Sequence, residues 1–391
     1  MARRILTLNQ ISVKGLERLP RDGYEIASEF THPDAILLRS HKLQAADIPA
    51  SVLGVARAGA GVNNIPVADC TRRGIPVFNS PGANANAVKE LVAAGLLLGS
   101  RGILEGLAWV DTLSDVQDPA ELHKVLEAGK KQFKGQELAG KTLGVVGLGA
   151  IGSLVADMAL SLGMQVVGYD PALSVDAAWR LSSQVRKADT LSALFARSDY
   201  ITLHLPVLES TRNLVNAELL AAMSPEACLL NFARQEIVDG PALLAALENG
   251  QLRKYIADFP APELIGRKDV VLMPHIGAST DEAEDNCAIM AAEQLRDFLE
   301  NGNVRNSVNF PALQLERAGH CRLAVTNTNV PRILGSVLSI LAEQNINVVD
   351  MLNKSREELA YNLIDIDREP TEESLVAMRA LEGVINVRLI P

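Results

Sequence analysis

The stretch over residues 141–170 constrains the fold more than any other part of the chain. It reads KTLGVVGLGAIGSLVADMALSLGMQVVGYD. The pattern predicts a short apolar strand over Thr142–Val146, a helix that ends near Leu162 and a second strand over Gln165–Tyr169. Glycines occupy the first turn, and a carboxylate follows the second strand. Strand, helix and strand in this order form a βαβ unit, which predicts a parallel sheet.

The three glycines of the first turn have separate tasks. Gly147 permits the sharp exit from the strand, Gly149 lets backbone N–H groups approach a pyrophosphate, and Gly152 lets the helix pack closely on the sheet. The helix N-terminus then faces the anion. Asp170 stands where a carboxylate can accept two hydrogen bonds from an adenosine ribose. The residues after it, PAL, offer no cation for a 2′-phosphate, so the pattern favours NAD over NADP.

Length, charge and cysteine content bound the remaining possibilities. A chain of 391 residues is too long for one typical core and predicts two or three domains. A net charge of −10 argues against nucleic acid or an anionic membrane as the main partner, and no window is apolar for long enough to span a bilayer. Four scattered cysteines indicate neither a disulfide framework nor a metal site. We therefore expect a cytoplasmic protein that holds no metal.

Apolar runs alternate with helical stretches on both sides of the glycine turn, which is typical of parallel sheets covered by helices. We predict an α/β chain with two doubly wound domains: a flavodoxin-like domain that binds substrate and a Rossmann domain of six strands that binds NAD. A long amphipathic helix after residue 280 is expected to return to the first domain. The predicted boundaries are 1–98 with 284–302 for the substrate domain, 99–283 for the NAD domain, 303–318 for a linker and 319–391 for a third domain.

The third domain has its own pattern. Strand and helix signals over residues 319–391 follow the order βαββαβ, which predicts a ferredoxin-like split unit. This part of the chain has no cluster of residues suited to nucleophilic catalysis. Binding or assembly is therefore the expected use of the domain.

Three charged residues follow apolar strands of the NAD domain, where open α/β sheets bind their ligands. Arg234 follows CLLNF, His275 follows VVLMP, and Glu263 lies in ADFPAPEL between them. Oxidising a secondary alcohol needs a base for the hydroxyl proton, and histidine suits that task near neutral pH. A carboxylate beside the histidine raises its pKa and fixes its tautomer, while a guanidinium holds a substrate carboxylate. Singly each has a plainer explanation, but together, downstream of the glycine turn, they favour catalysis.

Substrate contacts are expected from the first domain. The segment VARAGAGVNNIP offers Arg57, Ala58 and a turn at Gly59 whose N–H groups can form a nest for a carboxylate. Arg39, in LLRSHK, could meet a phosphate, and an exposed charge pair is the alternative. Asn84 is placed either to cap its helix or to touch ligand.

Several motifs together resemble those of the D-isomer-specific 2-hydroxyacid dehydrogenase family, with a C-terminal ACT domain. They are RAGAGVNNIP, FNSPGANANAVKELV, GKTLGVVGLGAIG with YDP, LHLP, NFARQEIVD and MPHIGAST, and the resemblance covers essentially the whole chain. It implies Arg234 as the arginine that polarises the substrate and His275 as the acid and base. The implied NAD contacts are Gly149, Ala150, Ile151, Asp170, His204, Pro206, Ala233, Asp258 and Gly277.

The implied reaction is NAD-dependent oxidation of 3-phosphoglycerate to 3-phosphohydroxypyruvate, the first step of serine biosynthesis. A homodimer or homotetramer is implied as well, and the region of Trp109 is either a subunit contact or a packed helix within the domain. One competing function is a glycerate or hydroxypyruvate reductase. The other, from a different class, is an NAD-sensing scaffold.

The chain departs from the family pattern at a few positions. Gln235 replaces the glycine that usually follows the catalytic arginine, and ADFPAPEL differs from the common DVF-type pattern around Glu263. In the third domain, Asn329 and Asn347 match positions that resemble the family's serine contacts. Arg332, however, stands where ligand-binding ACT modules usually have glycine. A structural domain, or one with a changed ligand, is therefore as well supported as feedback by serine.

Overall fold

The computed structural model describes residues 2–391, and the chain divides into two compact units. One unit contains the residues up to Asn84 together with Asp281–Pro391, and the other contains Ala85–Thr280. The predicted boundaries were 98/99 and 283/284. Both observed boundaries, 84/85 and 280/281, come earlier in the chain. The first differs more, because the helix Ala85–Ser100 buries Val88, Val92 and Leu96 in the core of the second unit.

The first unit begins with a five-stranded parallel sheet. Its strands are β1 (Arg3–Leu8), β2 (Tyr24–Ala27), β3 (Ala35–Leu38), β4 (Gly54–Arg57) and β5 (Val77–Phe78), with helices α1 (Val13–Leu16) and α2 (Val67–Arg72). The strand order is β2-β1-β3-β4-β5, which is the flavodoxin-like order that was expected. Strand β2 was not predicted, because its sequence YEIA has no apolar run and lies at the sheet edge.

The second unit contains a seven-stranded parallel sheet. Its strands are β6 (Thr142–Val146), β7 (Gln165–Tyr169), β8 (Arg186–Lys187), β9 (Tyr200–Leu203), β10 (Cys228–Asn231), β11 (Lys254–Ala257) and β12 (Val270–Leu272). Its helices are α3 (Ala85–Ser100), α4 (Ile103–Asp111), α5 (Pro119–Gly129), α6 (Ala150–Ser161), α7 (Val175–Ala178), α8 (Leu191–Arg197), α9 (Ala217–Ala221) and α10 (Gly240–Glu248).

The order of this sheet is β12-β11-β10-β9-β6-β7-β8. It reverses direction between β6 and β9, the point at which Rossmann sheets bind dinucleotides. The predicted total of six strands was wrong, because the two-residue strand β8 consists of an exposed Arg and Lys that give no apolar signal. The central strands β9 and β10 are buried throughout, as expected for a parallel sheet covered on both faces.

Helix α11 (Asp281–Asn301) returns the chain to the first unit, as its amphipathic pattern predicted. Its buried residues Ala288, Leu295 and Phe298 share a core with Ile5 and Leu37 of the first sheet. Within residues 2–391 no helix is, taken singly, both long and apolar enough to cross a membrane; the bent pair α3 and α4 meets that length and composition test only when joined.

The last part of the first unit confirms the predicted βαββαβ order. The elements are β13 (Cys321–Thr328), α12 (Ile333–Glu343), β14 (Val348–Arg356), β15 (Leu359–Ile366), α13 (Glu372–Arg379) and β16 (Val384–Ile390). They form an antiparallel sheet of order β14-β15-β13-β16, and α12 and α13 pack on one face of it.

The other face of this C-terminal sheet packs on the first domain. Tyr361 and Leu363 join Phe298 and Phe310 in one hydrophobic core. The guanidinium of Arg388 lies 4.3 Å from the ring centroid of Phe298, a cation–π distance. The two domains of the first unit therefore share a core.

The segment over 303–318, expected to be a linker, is packed against the first unit over residues 304–313. Val304, Phe310 and Leu313 are fully buried, and Val304 and Leu313 bond to each other through the backbone. Asn309 accepts a hydrogen bond from the N–H of Val77 at 2.8 Å. The sequence looked like a linker because its apolar residues follow no regular period, although they are buried in the folded chain.

Candidate active site

The glycine turn after β6 has the geometry that an anion requires. Gly147 has φ 90°, a conformation that a side chain disfavours, and a Cβ on Gly152 would overlap the carbonyl oxygen of Gly147. The N–H groups of Gly149, Ala150 and Ile151 donate to no acceptor within residues 2–391. A Cβ placed on Gly149 meets nothing within 4 Å. Open space and free donors at the start of α6 fit the pyrophosphate of a dinucleotide.

Asp170 follows β7 directly and ties this turn to the neighbouring strand. One carboxylate oxygen accepts from the N–H of Leu148 at 2.8 Å, and the other accepts from the N–H of Ala172 at 2.9 Å. Each oxygen retains a further lone pair, so the carboxylate can still accept from two ribose hydroxyls. The position predicted from spacing is therefore compatible with a ribose contact.

His204 follows β9 at the point where the strand order reverses. Its Nε2 lies 3.0 Å from the hydroxyl of Thr202, and its Nδ1 is buried with no hydrogen-bond partner in the described chain. Burial lowers the pKa of His204 to about 3, so the imidazole is neutral at physiological pH. An orphaned buried nitrogen at this edge is a ready partner for a bound cofactor.

Arg234 is held by a turn that sequence reasoning did not find. The side chain of the buried Asn231, the last residue of β10, donates to the carbonyl of Arg234 at 2.9 Å and accepts from the N–H of Ala233 at 3.2 Å. The amide of Asn231 also donates to the hydroxyl of Tyr255 at 3.3 Å. Arg234 itself is exposed and uses one N–H on the carbonyl of Ala233. Its remaining donors can take a carboxylate. The sequence signal that could have revealed this turn is Asn231, a single amide at the end of the apolar run CLLN.

His275 sits in a strained loop after β12. Its φ of 58° lies in the left-handed region, which is unusual for a residue with a side chain. The buried carboxylate of Asp258 accepts from the next two N–H groups, those of Ile276 at 2.8 Å and Gly277 at 2.6 Å. The imidazole is exposed and lies 4.7 Å from the ring of Phe259, centroid to centroid. Asp258 and Phe259 together fix the loop and the ring.

Glu263 lies in the short helix Pro262–Leu264 and is exposed. Across residues 2–391, neither a hydrogen bond nor an ion pair joins Glu263 to His275. The structure thus brings Arg234, His275 and Asp258 to the carboxyl side of one sheet but does not pair Glu263 with the histidine. Pro206 follows in the same loop as His204, and its carbonyl accepts from the hydroxyl of Thr211 at 2.7 Å.

The candidate substrate residues of the first unit lie at the carboxyl ends of β3 and β4. Arg57 donates from Nε to the carbonyl of Arg39 at 3.0 Å and from Nη1 to the carbonyl of Gly61. Gly59 has φ 156°, a backbone conformation that favours glycine, and a Cβ there would come within 2.8 Å of that Nη1. The N–H groups of Ala60 and Gly61 find no acceptor among the described residues. Guanidinium groups and free N–H groups at one sheet edge suit an anion.

The other candidate residues of the first unit are Ala58, Asn84 and Arg39. Ala58 is buried, and its N–H donates to the carbonyl of Leu38 at 2.8 Å. Asn84 is half-buried and immediately precedes α3. Arg39 donates to Glu284 of α11 at 2.5 Å, a contact that no sequence signal could reveal because 245 residues separate the partners.

The candidate effector residues lie on the surface of the C-terminal domain. Asn329 is exposed and donates to the carbonyl of Glu357 at 3.1 Å, and the N–H of Asn347 donates to Asp367 at 3.0 Å. Arg332 caps α12 with φ 81° and ψ −24°, the left-handed conformation for which glycine is the usual residue. Arg332 therefore adopts a left-handed backbone although it has a side chain.

Cysteines and carboxylates do not gather in the described residues: no group of three or more His, Cys, Asp or Glu side chains could hold a metal ion. All four cysteines are buried free thiols. Burial raises the pKa of Cys70 to about 11, which makes that thiol a poor nucleophile.

Residues 107–277 match the protein-family model described as "D-isomer specific 2-hydroxyacid dehydrogenase, NAD binding domain". A D-3-phosphoglycerate dehydrogenase of Synechocystis sp. is 40% identical over 291 residues, which cover 72% of this chain and 49% of that protein. This chain thus spans about half the length of that relative.

Two other matches extend further. The D-3-phosphoglycerate dehydrogenase of Escherichia coli K12 is 34% identical over 343 residues, which cover 84% of this chain and 79% of that protein. The NAD⁺-bound crystal structure of 3-phosphoglycerate dehydrogenase from Entamoeba histolytica is 27% identical, with a TM-score of 0.62 over 80% of this chain and 100% of that one. The glycine turn, Asp170 and the orphaned His204 nitrogen all fit the NAD that this family uses. The chain therefore belongs to the D-isomer-specific 2-hydroxyacid dehydrogenase family and is an NAD-dependent dehydrogenase of 2-hydroxy acids.

Proposed function

We propose that the chain oxidises 3-phosphoglycerate to 3-phosphohydroxypyruvate with NAD, the first step of serine biosynthesis. One structural observation supports this substrate above other 2-hydroxy acids: each unit has its own cationic site. The second unit offers Arg234, while the first offers Arg39 and Arg57 beside free N–H groups. 3-Phosphoglycerate has two anionic groups, a carboxylate and a phosphate. The names of the relatives from Synechocystis and Escherichia coli agree with this choice.

Arg234 and His275 carry the chemistry in this proposal. The guanidinium of Arg234 binds the substrate carboxylate and polarises the C–O bond that becomes a carbonyl. The imidazole of His275 removes the hydroxyl proton. NAD, when bound, would supply the acceptor for the hydride of the same carbon. Asn231 and Asp258 hold the backbone that carries these two side chains: Asn231 donates to the carbonyl of Arg234, and Asp258 accepts from the two N–H groups that follow His275. Glu263, exposed on the short helix Pro262–Leu264, is proposed as the carboxylate partner of His275.

The NAD contacts are proposed at the carboxyl ends of the second sheet. The free N–H groups of the glycine turn support a pyrophosphate contact, and Asp170 supports a ribose contact. The proposed residues are Gly147, Gly149, Ala150, Ile151, Gly152, Asp170, His204, Pro206, Ala233, Asp258 and Gly277. The first unit, through Arg39, Arg57, Ala58, Gly59 and Asn84, is the proposed substrate domain.

A direct assay tests the reaction. Purified protein is mixed with NAD and a panel of phosphorylated and unphosphorylated 2-hydroxy acids, and NADH formation is followed by absorbance. We expect 3-phosphoglycerate to give the highest kcat/KM. Preference for glycerate would identify the chain as a reductase of that type, and NAD binding without any turnover would support a scaffold.

His275→Ala is the matched variant for this assay. Loss of a general base lowers kcat by about 10²- to 10⁴-fold. Fluorescence titration with NADH should show unchanged cofactor binding, because the glycine turn is intact. A rate equal to that of the unmodified enzyme would remove His275 from the mechanism.

A homodimer is proposed through α3 and α4. These two adjoining helices expose an unusual density of apolar surface, with side chains that are 42–60% exposed at Leu97, Leu104, Leu107 and Val110. Leu107→Glu should shift the chain to a smaller species in size-exclusion chromatography with light scattering.

The C-terminal domain is proposed to be ACT-like, and addition of serine to the assay tests whether it responds to that amino acid. The four reduced cysteines support a cytoplasmic location.

A further inference from the structure

Glu284 is a carboxylate placed where the proposed function needs positive charge. It lies in the first turn of α11, and its Oε1 accepts from Nη2 of Arg39 at 2.5 Å. Both side chains are 40% exposed. Arg39 is one of the two arginines proposed to take the substrate phosphate, so an anion already occupies part of that site.

The main chain of Arg39 is fixed independently of this pair. Its carbonyl accepts from Nε of Arg57 at 3.0 Å and from the amide of Asn64 at 3.1 Å. Its guanidinium, by contrast, makes only the bond to Glu284 within residues 2–391. The direction of the Arg39 side chain is therefore set by one exposed carboxylate.

The neighbouring acid Asp285 does not contact Arg39. Asp285, the next residue of α11, accepts from Ser12 at 2.5 Å and from Lys14 at 2.6 Å, away from Arg39. Arg39, Arg57 and Glu284 together have a net charge of +1. Removing Glu284 would raise that charge to +2 without touching either arginine.

A phosphate monoester and the Glu284 carboxylate compete for the same donors. The phosphate has a charge of about −1.5 to −2 near neutral pH and three acceptor oxygens, and it can engage a guanidinium through two bonds. A monoanion has a smaller charge and must compete with a carboxylate that is already tethered beside Arg39. An exposed ion pair is weak enough for a dianion to displace.

We propose that Glu284 is an internal counter-ion that reserves Arg39 for the dianionic phosphate of the substrate. Without substrate it occupies the guanidinium and keeps small monoanions from binding there. When the phosphate arrives, Glu284 gives up its hydrogen bond and turns to solvent. Glu284 thereby acts on substrate selection and takes no part in hydride or proton transfer. The inference rests on the proposed function.

Glu284→Gln tests this role because it removes the charge and keeps the shape. Displacing an exposed ion pair costs up to about 1 kcal/mol, so KM for 3-phosphoglycerate should fall about two- to fivefold while kcat stays the same. The KM for glycerate, which has no phosphate, should not change. Acetate, a monoanion, should become a stronger competitive inhibitor of the variant than of the unmodified enzyme.

Glu293→Gln is the matched control. Glu293 lies on the same helix, pairs with Arg18 at 3.6 Å and has a side chain that is 49% exposed. Its replacement makes the same change in net charge away from Arg39. Unchanged constants in this variant would show that the effect belongs to the position of Glu284 and not to the overall charge.

The possible results separate the inference from the proposed function. A higher KM in Glu284→Gln would mean that Glu284 positions Arg39 for the phosphate, and an unchanged KM would mean an ordinary surface ion pair; either result overturns the inference. If the unmodified protein does not oxidise 3-phosphoglycerate, the proposed function fails. Sulfate then still tests the site, because stronger thermal stabilisation of Glu284→Gln than of the parent supports the counter-ion role and equal stabilisation overturns it.

Discussion

Two arginine–carboxylate pairs of the first unit differ in burial and in role, although their chemical groups are the same. Arg322 and Asp365, on β13 and β15, have side chains that are 0% and 1% exposed. Arg322 makes a bidentate contact with Asp365 at 2.5 and 2.9 Å and donates to the carbonyls of Asn301, Leu315 and Glu316. All five N–H donors are used. Arg39, in contrast, is half-exposed and gives one side-chain bond to Glu284.

The difference lies in what each arginine can still do. Arg322 has no donor left for a ligand, so its role is to fasten the C-terminal sheet to the end of α11 and to the segment after it. Arg39 retains most of its donors and faces solvent. Burial and complete hydrogen bonding thus mark a structural pair, whereas exposure and free donors mark a pair that is available to a ligand.

The largest expected effect comes from breaking the buried pair. Arg322→Met leaves the carboxylate of Asp365 buried without its partner, and we expect a loss of about 3–5 kcal/mol in the free energy of unfolding of the first unit. Urea denaturation followed by circular dichroism measures it. Arg39→Met, the matched control, should cost less than about 1 kcal/mol. Equal losses in the two variants would contradict the distinction between the pairs.

The next effect appears in substrate binding rather than in stability. Arg39→Met removes a charged hydrogen-bond donor to the phosphate, a contribution of about 1.5–3 kcal/mol. We expect KM for 3-phosphoglycerate to rise about ten- to hundredfold with little change in kcat, measured by steady-state NADH formation. If KM for glycerate rises by the same factor, Arg39 does not recognise the phosphate.

A smaller effect concerns acid pH. Burial alone would raise the pKa of Asp365, but hydrogen bonds from Arg322 and from the N–H of Ala318 outweigh it, and the pKa is lowered. The folded state therefore binds a proton less readily than the unfolded chain. The contribution to stability is complete above the ordinary aspartate pKa of about 3.9 and is lost as the pH falls through the lowered value. Urea midpoints from pH 6 to 2 should fall less steeply in Arg322→Met/Asp365→Leu than in the parent.

The smallest effect is the coupling between Arg39 and Glu284 in the absence of substrate. A double-mutant cycle of Arg39→Met and Glu284→Gln should give a coupling energy in unfolding below about 1 kcal/mol. Because both side chains are exposed, 0.5 M NaCl should abolish most of it. A coupling as large as that of a buried pair would show that Glu284 has a structural role instead.

Local patterns were sufficient to predict most of the fold. The glycine turn, its flanking strands and the βαββαβ order of the C-terminal domain all depend on neighbours in sequence. Strands β2 and β8 were missed because an edge strand such as YEIA, or one of two residues, buries too little apolar surface to leave a pattern. The packing of Phe310 against Tyr361 was equally invisible, since it joins residues of different domains.

The same distinction holds for the candidate site: local sequence indicated some of its residues, and others depend on contacts between distant parts of the chain. Arg234, His275 and Asp170 could be proposed from their places after apolar strands. The hydrogen bonds of Asp258 to the loop after His275 span 18 and 19 residues, and those of Asn231 depend on a turn that the sequence does not specify. The pair of Arg39 with Glu284 depends wholly on tertiary folding.

The shared core of the first unit has a consequence for the order in which the chain folds during synthesis. The second unit is one continuous segment, so it can complete its core as soon as residue 280 has left the ribosome. The first unit begins earlier but needs Phe298 of α11 and Tyr361 of β15 to complete its core. The inserted unit is therefore the first whose core is complete, and one face of the N-terminal sheet is fully covered only after β15 has been made. A ribosome that stalls before the C-terminal domain therefore leaves one face of the N-terminal sheet partly uncovered, although all five strands of that sheet have been synthesised.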